Sequence, residues 1–393
     1  LRAGLLLNYI AICTQTSASS RQQQFQPAKW QRKFTMTLRQ CSKAFLSAIL
    51  IGASSLTLAQ SGSRTVPADT ADILYGVSQG RLMWKETQSQ SGTQQVFFCY
   101  LNNCPNGKTP IGSMARKDYI QSLAAAVSQV WIAVGATGGP VRLWYAEESA
   151  NYTFRQGPDA TGYNWKSYAG VIPSLVLGLH SNSNGGIDWA VLHADDEFGN
   201  QTTLTSCRST PLGTQCSDAL TFRGPPVDLM HNSTKVLWAT SMGVGICSIG
   251  DCAGSTEVVS SGVTGNPVAQ VALTEQRMFG MNQTYEGTSI WSCPLSGCTE
   301  KTVVTASSVL RGVATGVAAS GNTLFFASPA NPGASEDGQG LYKCTLAADF
   351  TCNSSSVTRI STDVVKGKLL IESTNGSNYL IWAGWKGLNI LKF

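Results

Sequence analysis

Charge is scarce in this sequence. Only 13% of its 393 residues are Asp, Glu, Lys or Arg. Val, Thr, Ser and aromatic residues outweigh strong helix formers, and Gly is abundant at 39 residues. No long amphipathic helix emerges from such a chain, and its balance favours strands joined by tight turns. Ser122–Val134 comes closest to a helical pattern, yet it reads better as two strands. Catalytic signatures are missing too: there is no nucleophile elbow, phosphate loop or His-Glu-x-x-His motif. With three histidines in all (His180, His193 and His231), a two-His metal site lacks further ligands, and turn histidines are the simpler reading. Long apolar runs are absent as well. The one at Ala44–Ala53 is too short to span a bilayer.

That run has another meaning. Met36 precedes a basic start (Arg39, Lys43), the apolar run, and then the small residues of Thr57-Leu58-Ala59. This is the pattern of a secretory signal peptide over 36–59, cleaved before Gln60. Residues 1–35 carry no initiator Met and read as translated upstream sequence, which leaves 60–393 as one domain. The first 59 residues hold seven basic and no acidic side chains. The mature balance is therefore −2 rather than +5, which gives nucleic acid no purchase.

What the chain has in plenty is repetition. In Val236–Cys252, a Trp-centred apolar strand is followed by a Gly-containing turn and a second strand ending in Cys. Centred on Trp238, the equivalents are Trp84, Ile132, Trp189, Gly280, Phe326 and Trp382, five of the seven being aromatic. An Ala follows in five units: Ala133, Ala190, Ala239, Ala327 and Ala383. A fixed recurrence of this kind signals a repeat architecture. Each unit reads as four strands, the composition of a propeller blade. In the fifth they are expected at Val268–Leu273, Met278–Asn282, Ser289–Pro294 and Lys301–Ala306, while the sixth opens at Gly312–Val317. The seventh unit stops one strand short, and Arg64–Ala68 is free to supply it beside Leu388–Phe393. The expectation is an all-β, seven-bladed β-propeller of four-stranded blades, closed by an N-terminal strand.

Ten cysteines remain after the leader and fall into local pairs: Cys99–Cys104, Cys207–Cys216, Cys247–Cys252, Cys293–Cys298 and Cys344–Cys352. Zinc is the rival reading of Cys-x4-Cys, but one pair per unit in an exported chain favours disulfides. Six sequons accompany them at expected turns, giving Asn151, Asn200, Asn232, Asn282, Asn353 and Asn375 as glycosylation candidates.

Ile290-Trp-Ser-Cys-Pro-Leu-Ser-Gly-Cys298 and Leu341-Tyr-Lys-Cys-Thr-Leu346 resemble the YWTD-type repeats of lipoprotein-receptor propellers, and the likeness extends across 62–393. It departs from them in blade number, since those propellers have six. It also lacks the motif's Asp, so that family's ligand residues do not transfer.

Loops between second and third strands gather on one face of a propeller, and loops on a rigid scaffold are where binding concentrates. Acidic groups there are Asp195, Asp196 and Glu197, then Glu286, then Glu336 and Asp337, with Tyr285 and Trp385 as stacking surfaces. The expectation is a binding module for a glycan or small ligand, with calcium the candidate cation and a protein partner also open. The alternative is an extracellular metal-dependent hydrolase, lactonase or glycosidase, with Asp72 and Asp228 as channel carboxylates.

Overall fold

A computed structural model describes residues 63–69, 73–104, 106–114, 118–126, 129–136, 142–147, 153–156, 175–181, 187–195, 200–210, 213–259, 268–284, 287–298, 301–305, 316–328 and 339–393. The chain divides into two units, Leu1–Gly62 and Ser63–Phe393. The second unit contains seven four-stranded antiparallel sheets. Six are formed by consecutive strands. In the seventh, Arg64–Pro67 adds to the end of the chain, with Arg64 opposite Ile390 and Val66 opposite Leu388.

The seven repeat centres fall at one register. Each faces a first-strand residue: Tyr75 with Trp84, Leu123 with Ile132, Gly178 with Trp189 and Leu229 with Trp238. Val271 with Gly280, Val317 with Phe326 and Leu369 with Trp382 complete the set. Second strands such as Lys235–Thr240 are buried on both faces, which is why they read as continuous apolar runs rather than alternating ones.

The core is divided among the gaps between blades. Val66, Leu82, Trp84 and Ile381 fill the closing gap, and Met83, Val96, Ile120 and Ile132 the next. Trp189, Trp238, Phe326 and Trp382 each fill the gap to the blade before their own. Blade five breaks the pattern, because its centre is Gly280. There the third-strand Trp291, directly opposite, lies where a Gly280 side chain would go. Blade four shows the reverse, with Trp238 occupying the space of a side chain at Gly245.

All five expected disulfides are formed, each starting from the third strand of its blade. Each closes a short loop and limits the unfolded chain, for about 2 kcal/mol apiece. Such bonds persist in oxidising compartments. Among the described residues no helix is long and apolar enough to cross a membrane.

Two expectations need correction. The first strand of blade six, Gly316–Ser320, extends three residues past the expected end at Val317, while 312–315 lie outside the described residues. Asn282 is not at a turn: it lies within the second strand of blade five, fully buried, and its Oδ1 accepts from Trp291 Nε1 at 2.9 Å. A glycan has no room there in the folded protein.

Candidate functional site

The seven first strands line the central channel. They begin at the face carrying the loops between second and third strands, and they end at tight turns on the other. One layer near the loop end is made by the residue preceding each centre's partner. In chain order these are Leu74, Ser122, Leu177, Asp228, Gln270, Gly316 and Lys368. In blades two, four, five and seven the register shifts beside this layer, between Ile120 and Ser122, Pro226 and Asp228, Val268 and Gln270, and Lys366 and Leu369. Such bulges re-aim the side chains next to them.

Asp228 and Gln270 use that position in the same way. Asp228 Oδ2 accepts the backbone N–H of Val271 in the next blade at 3.2 Å. Gln270 Oε1 accepts that of Val317, again in the next blade, at 2.8 Å. Each side chain thus ties adjacent first strands together. Asp228 goes further. It is buried, its Oδ1 accepts from the backbone of Leu229 at 2.9 Å, and it also pairs with the Lys368 ammonium. Blades four and seven are as far apart as a seven-blade ring allows, so this ion pair crosses the channel.

Past this crossing lies a cavity of about 560 Å³, lined by the first strands of blades one, two, four, five, six and seven. Lys368 stands at one end, and Ser78, Gln79, His231 and Glu372 at the other. Glu372 Oε1 accepts the Gly80 N–H at 2.8 Å. Burial raises its pKa, and the backbone N–H groups of Gly80 and Gln79 oppose the rise. Tyr75 donates to the Lys368 carbonyl, fixing the strand that carries the lysine, and burial pushes its phenol above the ordinary range.

Of the sequence-expected ligand residues, Asp196, Glu197, Tyr285, Glu286, Glu336 and Asp337 lie outside the described residues. Asp195 directly follows the second strand of blade three, Ile187–Ala194, and is exposed; its Oδ2 accepts from Thr203 Oγ1 at 2.7 Å and its Oδ1 lies 3.5 Å from His193 Nδ1. Burial lowers the His193 pKa, partly offset by Asp195. Trp385 is 64% exposed on blade seven, but the Lys366 ammonium sits 4.1 Å over its ring, covering one face. Asp195 and Trp385 stand on blades three apart by the shorter way round. Asp72 lies outside the described residues, as do Asn151 and the side chain of His180. His231 bonds the adjacent carbonyl of Asn232 at 2.9 Å. Asn200, Asn353 and Asn375 are exposed. The Asn232 carboxamide is engaged, donating to Thr274 O at 2.8 Å and accepting from Lys235 N. Among the described residues no three His, Cys, Asp or Glu side chains come together as a metal cluster.

Lys368 and Glu372 escaped sequence reasoning. A signal was available: aligning the seven first strands puts Lys368 in the same column as Asp228, with opposite charge.

No family model matches the sequence, and no curated protein does. Solved structures do. A prolyl endopeptidase, studied for inter-domain dynamics in catalysis, aligns with TM-score 0.54 and 11% identity over 91% of this chain. This chain spans 52% of that one, about half its length. YCF48, solved bound to a D1 peptide, aligns with TM-score 0.55 and 12% identity over 86% of this chain and 96% of the other. At such identities the shared property is the propeller fold.

Proposed function

We propose that this protein is a non-catalytic binding propeller whose site is the central channel, working outside the cytoplasm. The observation that supports this most is the 560 Å³ cavity next to an ion pair that crosses the channel between Lys368 and Asp228. Its volume lies in the range of small-molecule sites, roughly 300–1,000 Å³. YCF48, which spans nearly the same fold, is itself a peptide binder in its solved complex. The hydrolase alternative draws on fold likeness alone. Asp228 is a poor base or metal ligand for it, because two backbone N–H groups and Lys368 already occupy its oxygens.

Secretion through the 36–59 signal peptide, with glycans at Asn200, Asn353 and Asn375, agrees with five disulfides and with the exposure of those asparagines. The YWTD-like strands reflect a shared repeat and bring no ligand with them. A second reading, a glycan or calcium on the loop face, is favoured by the exposure of Asp195 and Trp385.

The test is a thermal-shift panel of small molecules on wild type and on two channel-narrowing variants, Met230→Phe and Leu370→Phe. Compounds that stabilise wild type and neither variant support the channel. Compounds that stabilise all three overturn it in favour of another surface. Calorimetry with calcium and simple sugars on Glu286→Gln then addresses the loop face.

A further inference from the structure

We propose that the channel takes an elongated amphipathic carboxylate, its acid group held by the Lys368 ammonium and a hydroxyl at its far end held by Glu372. This rests on the channel being the binding site, and adds the class of ligand.

The two ends share one strand. Lys368 and Glu372 are four residues apart on the first strand of blade seven, Lys366–Thr374, Lys368 in the bulge at its start and Glu372 in its regular part, and both line the cavity. At the rise of a β-strand four residues span at most about 13 Å. Between them the wall is apolar: Leu370 of the same strand, Val77, Leu123, Met230 and Ala319. A ligand polar at both ends and apolar between matches this sequence of surfaces.

Charge decides which end takes the acid. The Asp228 carboxylate is buried and receives three donors, from Leu229, Val271 and Lys368. Lys368 spends one of its three N–H donors on this pair, and its side chain remains 37% exposed. The ammonium can therefore donate to a second carboxylate while keeping the first. At the other end Glu372 accepts from Gly80 and is partly desolvated. A second carboxylate would repel it, whereas a hydroxyl supplies the donor that burial has taken from it.

Gln270 sharpens the case. It ties its blade to the next with a neutral amide, so the tie needs no charge. The charge at Asp228 serves to hold Lys368 in the channel.

The experiment is isothermal titration calorimetry with 10-hydroxydecanoate, decanoate and 1,10-decanediol on wild type, Lys368→Met, Lys368→Arg, Glu372→Gln and Leu370→Phe, each first checked for cooperative thermal unfolding. Wild type should bind 10-hydroxydecanoate at least tenfold more tightly than the diol. Lys368→Met should remove that preference and Lys368→Arg should keep it. Glu372→Gln should shrink the difference between 10-hydroxydecanoate and decanoate, and Leu370→Phe should weaken every probe. Equal binding of acid and diol by wild type, or an unchanged acid preference in Lys368→Met, overturns the ligand class. If Leu370→Phe still abolishes binding in that case, the channel reading survives. Binding that is indifferent to Leu370→Phe overturns the channel reading itself. No heat from any probe rejects the ligand class, and the thermal-shift panel then judges the channel independently.

Discussion

Blades four and five solve the same packing problem with their residues exchanged. In blade four the second strand carries Trp238 and the opposed third-strand residue is Gly245. In blade five the second strand carries Gly280 and the opposed residue is Trp291. Each gap receives one indole, and each glycine marks where the other strand's ring lies. The repeat therefore preserves a volume between blades rather than a residue at a position. The exchange also has a polar consequence. Trp291 Nε1 reaches Asn282, whereas Trp238 Nε1 finds no hydrogen-bond partner among the described residues. A second difference lies in the channel layer, where Asp228 and Gln270 make the same tie and only Asp228 carries a charge.

The most disruptive way to test the exchange is to empty the blade-five gap. Trp291→Gly should cost about 3–5 kcal/mol, as for other large aromatic deletions. Adding Gly280→Trp to it should restore at least half of that loss in denaturant unfolding, because it recreates blade four's arrangement. No recovery would mean that the position matters and the volume alone does not.

Removing the tie in blade four comes next. Asp228→Ala leaves the Val271 N–H and the Lys368 ammonium without their acceptor, an expected loss of about 3 kcal/mol. Gln270→Ala breaks only a neutral tie, and about 1–2 kcal/mol is expected from chemical denaturation. Asp228→Asn, which makes blade four like blade five, should fall nearer the second figure than the first.

The smallest effect belongs to the far end of the channel. Burial raises the folded pKa of Glu372 above its unfolded value. Its contribution to stability is then fully present below the unfolded pKa and lost as pH rises through the folded one. Glu372→Gln keeps an acceptor for Gly80 and should exceed wild type in Tm only above the ordinary glutamate range, by no more than about 2 °C. An equal gain in acid would point to packing instead.

The architecture was legible because its signals are local. Apolar centres such as Trp238 and Trp382 and cysteines five to nine residues apart each announce themselves within one blade, and counting strands per blade then left Arg64–Ala68 to complete the last. Even Gly280 fell into register, since spacing placed it where composition did not. The channel was hidden for the opposite reason. Asp228 was named as a channel carboxylate, but its partner lies 140 residues away, and only ring closure brings the two together. Lys368 also fell just outside the apolar stretch that identified its strand. Asn282 misled because a sequon records three residue types and says nothing of burial. The loop residues Asp196, Glu197, Tyr285, Glu286, Glu336 and Asp337 lie outside the described residues, which leaves Asp195 and Trp385 as the described members of that set.

Asp228 is charged to hold Lys368 across the channel, beyond the tie of the kind that Gln270 also makes. A double-mutant cycle over Asp228→Asn and Lys368→Met, read by denaturant unfolding, tests it most directly. A favourable coupling of about 1 kcal/mol or more is expected, with the double mutant less destabilised than the sum of the singles. Additive effects within about 0.3 kcal/mol would contradict it, leaving Asp228 as a tie between blades and Lys368 as a solvated side chain.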